Sequence, residues 1–363
     1  MYQPRRVSRT EFVPIRGLQY QVRLWGEPRP GQAPLVMVHG WMDVSASWQF
    51  VVDAMAQERF IVAPDWRGYG GTEVAGCDNY WFPDYLADLD ALLDRYVPDT
   101  PVDLVGHSMG GNVAMAYAGV RPERIARLVN LEGFGLAATR PSQAPGRYAK
   151  WMDELKAFHR GEKDLKTYDS ADGVAARLMK TNPRLSEDKA LWLAQHWARP
   201  GADGRWRILG DPAHKVISAN LYRVDETLEI YARITAPTLW VQASDDSLAA
   251  WWKKGEFTLA EFHQRLAHVA RVRQVQVHVH VRHGRWLQQA RREGLVAVVA
   301  DLLAEDRLAV LHHDHEAVGA ELLELLRQQQ RVGEVHRDQP REGIVVRRVE
   351  LRRILDAREI AQV

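Results

Sequence analysis

Ser108 stands between two glycines in the run Val105-Gly106-His107-Ser108-Met109-Gly110-Gly111. A serine hydroxyl is a weak nucleophile. It attacks an acyl carbon only when a base takes its proton and donors hold the oxyanion that follows. The spacing Gly-x-Ser-x-Gly suits the first requirement of such chemistry, exposure of the hydroxyl on a tight turn. Gly106 and Gly110 remove side chains where an incoming strand and an outgoing helix nearly collide, so the backbone holds a strained corner. The corner places the hydroxyl at a helix N-terminus, where developing negative charge is stabilised.

The flanking residues supply the elements this corner needs. The apolar run from Val102 to Val105 reads as a short buried strand, and Asn112 to Ala118 is a good helix former. Strand, turn and helix are the context that gives the motif its meaning. Upstream, Glu11 to Trp25 reads as a hairpin turning at Arg16-Gly17. Pro34 to Val38 and Phe60 to Ala63 are continuous apolar runs, as expected of strands buried on both faces. Between them Trp48 to Ala56 has helical spacing, and Tyr85 to Tyr96 repeats leucines at the same period. Ile125 to Leu131 reads as the next strand. This alternation predicts an α/β fold, a mostly parallel sheet with helices on both faces.

The rhythm breaks between residues 135 and 232. That stretch is polar, helical in pattern and rich in tryptophan, with Trp151, Trp192, Trp197 and Trp206 inside it and Pro141, Pro145, Pro183 and Pro200 punctuating it. It reads as a helical cap inserted over the C-terminal ends of the strands, where open α/β sheets bind ligands. The strand pattern resumes at Ala236 to Val241. The expected organisation is a first core segment at 1–134, the cap at 135–232, a second core segment at 233–304 and a tail at 305–363. The tail receives no function. Beyond Thr258 the chain has no Ser, Thr, Asn, Lys or Met, and beyond Phe262 no Phe or Tyr. Two explanations fit this abrupt narrowing, a separate arginine-rich helical appendage or a reading-frame disturbance near residues 270 to 285, and the second is favoured.

Bulk properties narrow the classes of partner. The 363 residues carry a formal net charge of +1, so no global field favours nucleic acid or an anionic membrane. Acidic residues interleave with the arginines of the tail, which argues against a nucleic-acid role there. Cys77 is the one cysteine, so no intramolecular disulfide forms. The polar, arginine-bearing first ten residues do not read as a secretory signal, and no apolar window reaches the length of a membrane span. The expectation is a soluble cytoplasmic protein.

Taken together, His39-Gly40-Trp41, Asp65-Trp66-Arg67-Gly68-Tyr69-Gly70-Gly71-Thr72 and the serine motif, in this order and spacing, resemble the α/β-hydrolase fold superfamily over about residues 10 to 304. The resemblance is to members with a serine nucleophile, esterase-like chemistry and a helical cap. It implies a Ser-acid-His triad in that chain order, an oxyanion hole of two backbone amides, and neither metal nor organic cofactor. Carried over by position, the amides are those of Trp41 and Met109. The acid falls on Asp246, counted from Pro237, with Asp245 one residue away. Glu132 is a third candidate, because some members place the acid after the preceding strand; its alternative role is a carboxylate at the cap hinge that binds backbone amides.

The histidine departs from the pattern. In His283-Gly284-Arg285-Trp286, alignment on Trp286 puts Arg285 where the base is expected. An arginine stays protonated near neutral pH and cannot serve. His283, two residues early, is the candidate base. His278 and His280 alternate along a strand-like run, and His312 and His313 echo a histidine-bearing stretch of some relatives. Two classes of function follow. In the first, a serine hydrolase cleaves a small ester or related acyl compound: Ser108 attacks, His283 moves the proton and Asp246 orients the imidazole. In the second, a catalytically impaired hydrolase-like protein binds small molecules. Four other residues read as structural. His39 shapes the oxyanion loop, His107 lines the pocket, Asp43 caps the helix starting near Ser47, and the spacing of His39 and Asp65 matches no metal motif.

Overall fold

The computed structural model describes residues 2–243 and 257–277. β1 (Arg9–Ile15) and β2 (Leu18–Trp25) form the expected antiparallel hairpin, with Ile15 facing Leu18 across Arg16-Gly17. The core then alternates β3 (Leu35–Val38), α1 (Gln49–Ala54), β4 (Ile61–Pro64), α2 (Phe82–Tyr96), β5 (Val102–His107), α3 (Met109–Val120) and β6 (Ile125–Leu131). Its second part contributes β10 (Thr238–Ala243), α8 (Leu259–Leu266) and β11 (Val272–Val277). All eight strands join one sheet in the order β1-β2-β4-β3-β5-β6-β10-β11, parallel from β4 to β11.

Alternation along the strands explains the continuous apolar runs. Val36 and Val38 of β3 enter one core layer, while Leu35 and Met37 enter the other. Trp240 of β10 likewise faces the first layer, between Leu239 and Val241 of the second. The first layer receives Leu89, Leu92 and Leu93 of α2, Val113 and Tyr117 of α3, and Phe262 of α8. The second receives Val51 and Val52 of α1. Both faces are covered, so nearly every side chain of the central strands is removed from water.

Between β6 and β10 lie α4 (Ala144–His159), β7 (Thr167–Tyr168), α5 (Ala171–Thr181), α6 (Glu187–Trp197), β8 (Ala198–Pro200), β9 (Trp206–Ile208) and α7 (Val224–Ala232). The helices follow the sequence pattern; the small sheet β7-β9-β8 does not, because strands of two and three residues carry no readable period. Pro200 sits on an edge strand of it, where its missing N–H is tolerated. Val174, Leu178, Ala190, Leu193 and Ala194 of α5 and α6 pack on Val44 and Ala46, a few residues past Trp41. Trp192, Trp197 and Trp206 pad this same cluster. Among the described residues no helix is long and apolar enough to cross a membrane.

Candidate active site

The order β4-β3-β5 means that the chain leaves β3 toward one side for β4 and returns to its other side for β5. Loops at the C-terminal ends of β3 and β5 therefore diverge and open a crevice, the usual ligand position in such sheets. Val38 pairs with Gly106, so His39-Gly40-Trp41 and His107-Ser108 leave the sheet side by side. A Cβ placed on Gly40 would lie 3.2 Å from both the Ser108 Cβ and the His107 Nδ1. Glycine at 40 lets the loop press against the serine.

Ser108 sits at φ 52° and ψ −115°, a sparsely populated conformation for a side-chain-bearing residue. The surroundings fix it. Its N–H donates to the Leu131 carbonyl at 2.8 Å, and its own carbonyl accepts from Asn112 N–H at 3.0 Å. The elbow glycines are sterically required: a Cβ at Gly106 would stand 2.7 Å from Gly111 N, and one at Gly110 2.8 Å from Val38 C. Met42 and Glu132 also take positive φ, at 52° and 56°. Three of the four non-glycine residues with positive φ among the described residues thus lie just past β3, β5 and β6, and the fourth, Arg16, turns the β1–β2 hairpin.

Met109 is the first residue of α3, whose leading amides have no partner within the helix. Among the described residues no acceptor takes the Met109 or Trp41 N–H. Ser108 itself is half-buried, and Trp41 and Met109 both lie on segments that leave the sheet beside it, at the ends of β3 and β5.

Residues of the β4 loop hold the β3 loop. His39 is fully buried. Trp66 N–H donates to His39 Nε2 at 2.9 Å, and Trp66 Nε1–H donates to the His39 carbonyl at 3.0 Å. Because a backbone N–H only donates, Nε2 is the unprotonated nitrogen, and Nδ1–H donates to the Gly40 carbonyl at 2.8 Å. Burial, the largest influence, lowers the His39 pKa, which suits this neutral tautomer. The Asp65 carboxylate, also fully buried, accepts from Ser45 N–H at 2.6 Å, Gln21 Nε2 at 2.6 Å and Gly71 N–H at 2.9 Å. Arg67 grips Asp88 of α2 with two bonds, 2.5 Å from Nε and 2.7 Å from Nη2. Both nitrogens of His39 and both carboxylate oxygens of Asp65 thus have partners within the loops. The sequence identified the residues 65 to 72 only as part of a resemblance and gave Asp65 no supporting role. The available signal was that His39 and Asp65 each directly follow a strand, and that β3 and β4 are neighbours.

The structure brings Ser108, Trp41 and Met109 together. Glu132 stands beside them, since His107 pairs with Leu131. Its carboxylate accepts the Ala243 N–H at 3.1 Å, and its own N–H donates to the Val241 carbonyl at 3.0 Å, linking the end of β6 to that of β10. Asp43 accepts from Val44 N–H at 2.8 Å and from the Ser47 hydroxyl at 2.5 Å. It braces the turn before α1 through a side chain rather than capping a helix, because the chain there first makes a 3-10 turn at Ser45–Trp48. Asp245, Asp246, His283 and Arg285 lie outside the described residues, as do His278, His280, His312 and His313. The strands that lead toward the acid and base candidates, β10 and β11, run parallel to β5.

A mostly parallel eight-stranded sheet with a strained serine corner at its switch point defines a hydrolase-type α/β architecture. The chain belongs to the alpha/beta hydrolase fold family, whose profile matches residues 33–271. It is similar to a serine hydrolase-like protein of Danio rerio, 26% identical over 247 residues that cover 66% of this chain and 73% of that protein. It is also similar to the 2-hydroxy-6-oxo-2,4-heptadienoate hydrolase of Pseudomonas putida, 35% identical over 107 residues, 29% of this chain and 38% of that enzyme. Among solved structures, the thioesterase domain from the curacin biosynthetic pathway superposes with a TM-score of 0.65 at 25% identity, over 82% of this chain and 99% of that domain. The fold and these hydrolase relatives support a hydrolase.

Proposed function

We propose that this protein is a serine hydrolase that cleaves a small ester or related acyl compound. The observation that carries the reading is the pairing of Ser108, held at φ 52°, with two backbone amides, Trp41 and Met109, that have no acceptor among the described residues. In the proposed cycle the Ser108 hydroxyl adds to the carbonyl carbon while His283 takes its proton. The tetrahedral oxyanion accepts from the two amides. His283 then protonates the leaving alcohol, and the acyl-serine is hydrolysed by the reverse sequence with water. Asp246 orients the imidazole, with Asp245 as the alternative acid. The role assigned to Glu132 is joining the ends of β6 and β10, in keeping with its bond to Ala243 N–H. The expected partner is a small-molecule acyl substrate, with no nucleic acid, membrane or cofactor involved, and the cytoplasm is the proposed location.

The test is labelling with a fluorophosphonate probe. Wild type is expected to label and Ser108→Ala is not. His283→Ala should slow labelling by at least 100-fold. A second reading, a hydrolase-like binding protein, draws on Arg285 at the expected base position. It predicts a folded wild type that does not label and an ester panel whose hydrolysis is indifferent to Ser108→Ala.

A further inference from the structure

Residues 2–8 precede β1 and take no part in the sheet, yet they bond to α1 and touch α6 of the segment between β6 and β10. Asp53 of α1 is the anchor. Its carboxylate accepts from the Tyr2 hydroxyl, from Arg5 N–H at 3.1 Å and from Arg6 N–H at 2.9 Å. Gln49, one turn earlier, donates to the Arg6 carbonyl at 2.8 Å and to Asp53 at 2.9 Å. The Arg6 guanidinium donates to the carbonyls of Val52, Met55 and Gln57, at 3.1, 2.7 and 2.9 Å. A helix end leaves carbonyls unpaired and favours positive charge, and α1 has no basic residue in its own last turn. Arg6 supplies both the donors and the charge.

The arm reaches α6 at two residues on one face of the helix, Trp192 and His196. The Tyr2 ring stands edge-on to Phe50 of α1 at 5.1 Å and to Trp192 at 5.4 Å, and those two rings meet at 5.7 Å. At the other end of the arm, Ser8 Oγ accepts from Arg23 Nη1 at 2.7 Å, and Arg23 Nη2 donates to His196 Nδ1 at 3.3 Å. We propose that residues 2–8 are a strap that fastens α6 to the core and so limits how bulky an acyl compound reaches Ser108. The fastening rests on the structure alone, and the control of access rests on the proposed function. Val7, between the two attachments, is 83% exposed, so the arm lies on the surface and belongs to neither core layer. A surface segment held at two points can open locally while the sheet stays folded. Opening it would leave α6 on its apolar contacts with Val44 and Ala46, a few residues past Trp41.

Two substitutions in the full chain test the strap. Tyr2→Ala removes the ring from Trp192 and the hydroxyl from Asp53, whereas Tyr2→Phe keeps the ring and loses only the bond. The strap predicts that Tyr2→Ala speeds hydrogen exchange in α5 and α6 by about tenfold, while β3 and β5 stay within about twofold. Tyr2→Phe should quicken α5 and α6 less than Tyr2→Ala does. Labelling with two fluorophosphonates, one with a short alkyl chain and one with a bulky aromatic group, reads access to Ser108. The ratio of bulky to small labelling rates should rise at least about threefold in Tyr2→Ala, with the small-probe rate within about twofold of wild type. Unchanged exchange in α6, or a rise shared equally by β3 and β5, overturns the strap. Faster exchange in α6 with an unchanged ratio upholds the fastening and overturns the control of access. Should wild type label with neither probe, the proposed function fails by itself, and the exchange measurement still decides the fastening. Should Tyr2→Ala fail to fold, Arg6→Met, which frees the arm from the end of α1, takes its place under the same criteria.

Discussion

At the scale of single residues, the serine corner trades stability for geometry. A non-glycine residue at φ 52° and ψ −115° costs on the order of 1–3 kcal/mol, part of which glycine relieves. Ser108→Gly should therefore abolish probe labelling and raise stability by about 1 kcal/mol in a urea titration; a destabilised variant would mean the corner is unstrained. The buried histidines give a second prediction. His214 is stacked between Tyr69 and Tyr80, with centroids 3.9 Å and 3.6 Å away, and burial above all pulls its pKa down to about 3. His196 accepts from Arg23 Nη2 at 3.3 Å, and burial followed by the Arg23 charge lowers it to about 4. Both stay neutral in the native state but take up protons near pH 6.5 when unfolded. The unfolded state then binds more protons, so stability is full above about pH 6.5 and declines as pH falls from there toward 4 and 3. The urea midpoint should drop between pH 7.5 and pH 5.0, and His214→Phe, which retains the stack, should drop less over the same interval. An unchanged difference would refute the neutral assignment.

At the scale of elements, the two ends of β5 divide the labour. Ser108 follows its C-terminal end, whereas Asp103 near its N-terminal end is buried between Arg59 and Arg127. Arg127 Nε lies 2.8 Å from Asp103 Oδ1. Removing one member of a buried ion cluster leaves charge without compensation and costs about 3–5 kcal/mol. Asp103→Asn should lose stability on that order while the labelling rate of the folded fraction stays within twofold, since β5 separates the two sites. A parallel loss of labelling would show that the sheet transmits the damage. The same elements show what was legible in advance. Runs such as Leu35 to Val38 read directly as strands because both faces are covered. The Gly-x-Ser-x-Gly corner was equally plain, because sterics dictate its glycines. The hydrogen bonds of His39 were not: its partner Trp66 is 27 residues away, and only the neighbouring placement of β3 and β4 brings them together. The sheet β7-β9-β8 was missed for lack of a period. Asp246 and His283 rest on resemblance, and they lie outside the described residues.

For the whole molecule, the region between β6 and β10 is joined to the core by more than its two crossings. Thr139 and Tyr222, at the entry and exit, are tied by N–H and hydroxyl bonds from Thr139 to the Tyr222 carbonyl. Arg265 of α8 donates to the Leu136 carbonyl at 2.7 Å, and its guanidinium lies over the rings of Phe257 and Tyr222. Arg265→Met keeps the apolar stem but loses the bond and the cation, and should lower stability by about 1–3 kcal/mol. Hydrogen exchange of residues 136–139 should quicken with it. Exchange unchanged there would place the effect elsewhere.

The apolar cluster of α5 and α6 with Val44 and Ala46 has a consequence for how such chains diversify. An insertion that packed only on itself would be a portable cassette, exchanged between relatives without regard to its host. Here the cassette borrows two of its interior residues from the segment just behind Trp41. A recombinant that imports residues 135–232 from elsewhere must import the matching side chains at 44 and 46, or leave the loop beside Ser108 without its backing. Compatibility across that seam, more than at the two crossings, sets which segments can stand between β6 and β10 on this core.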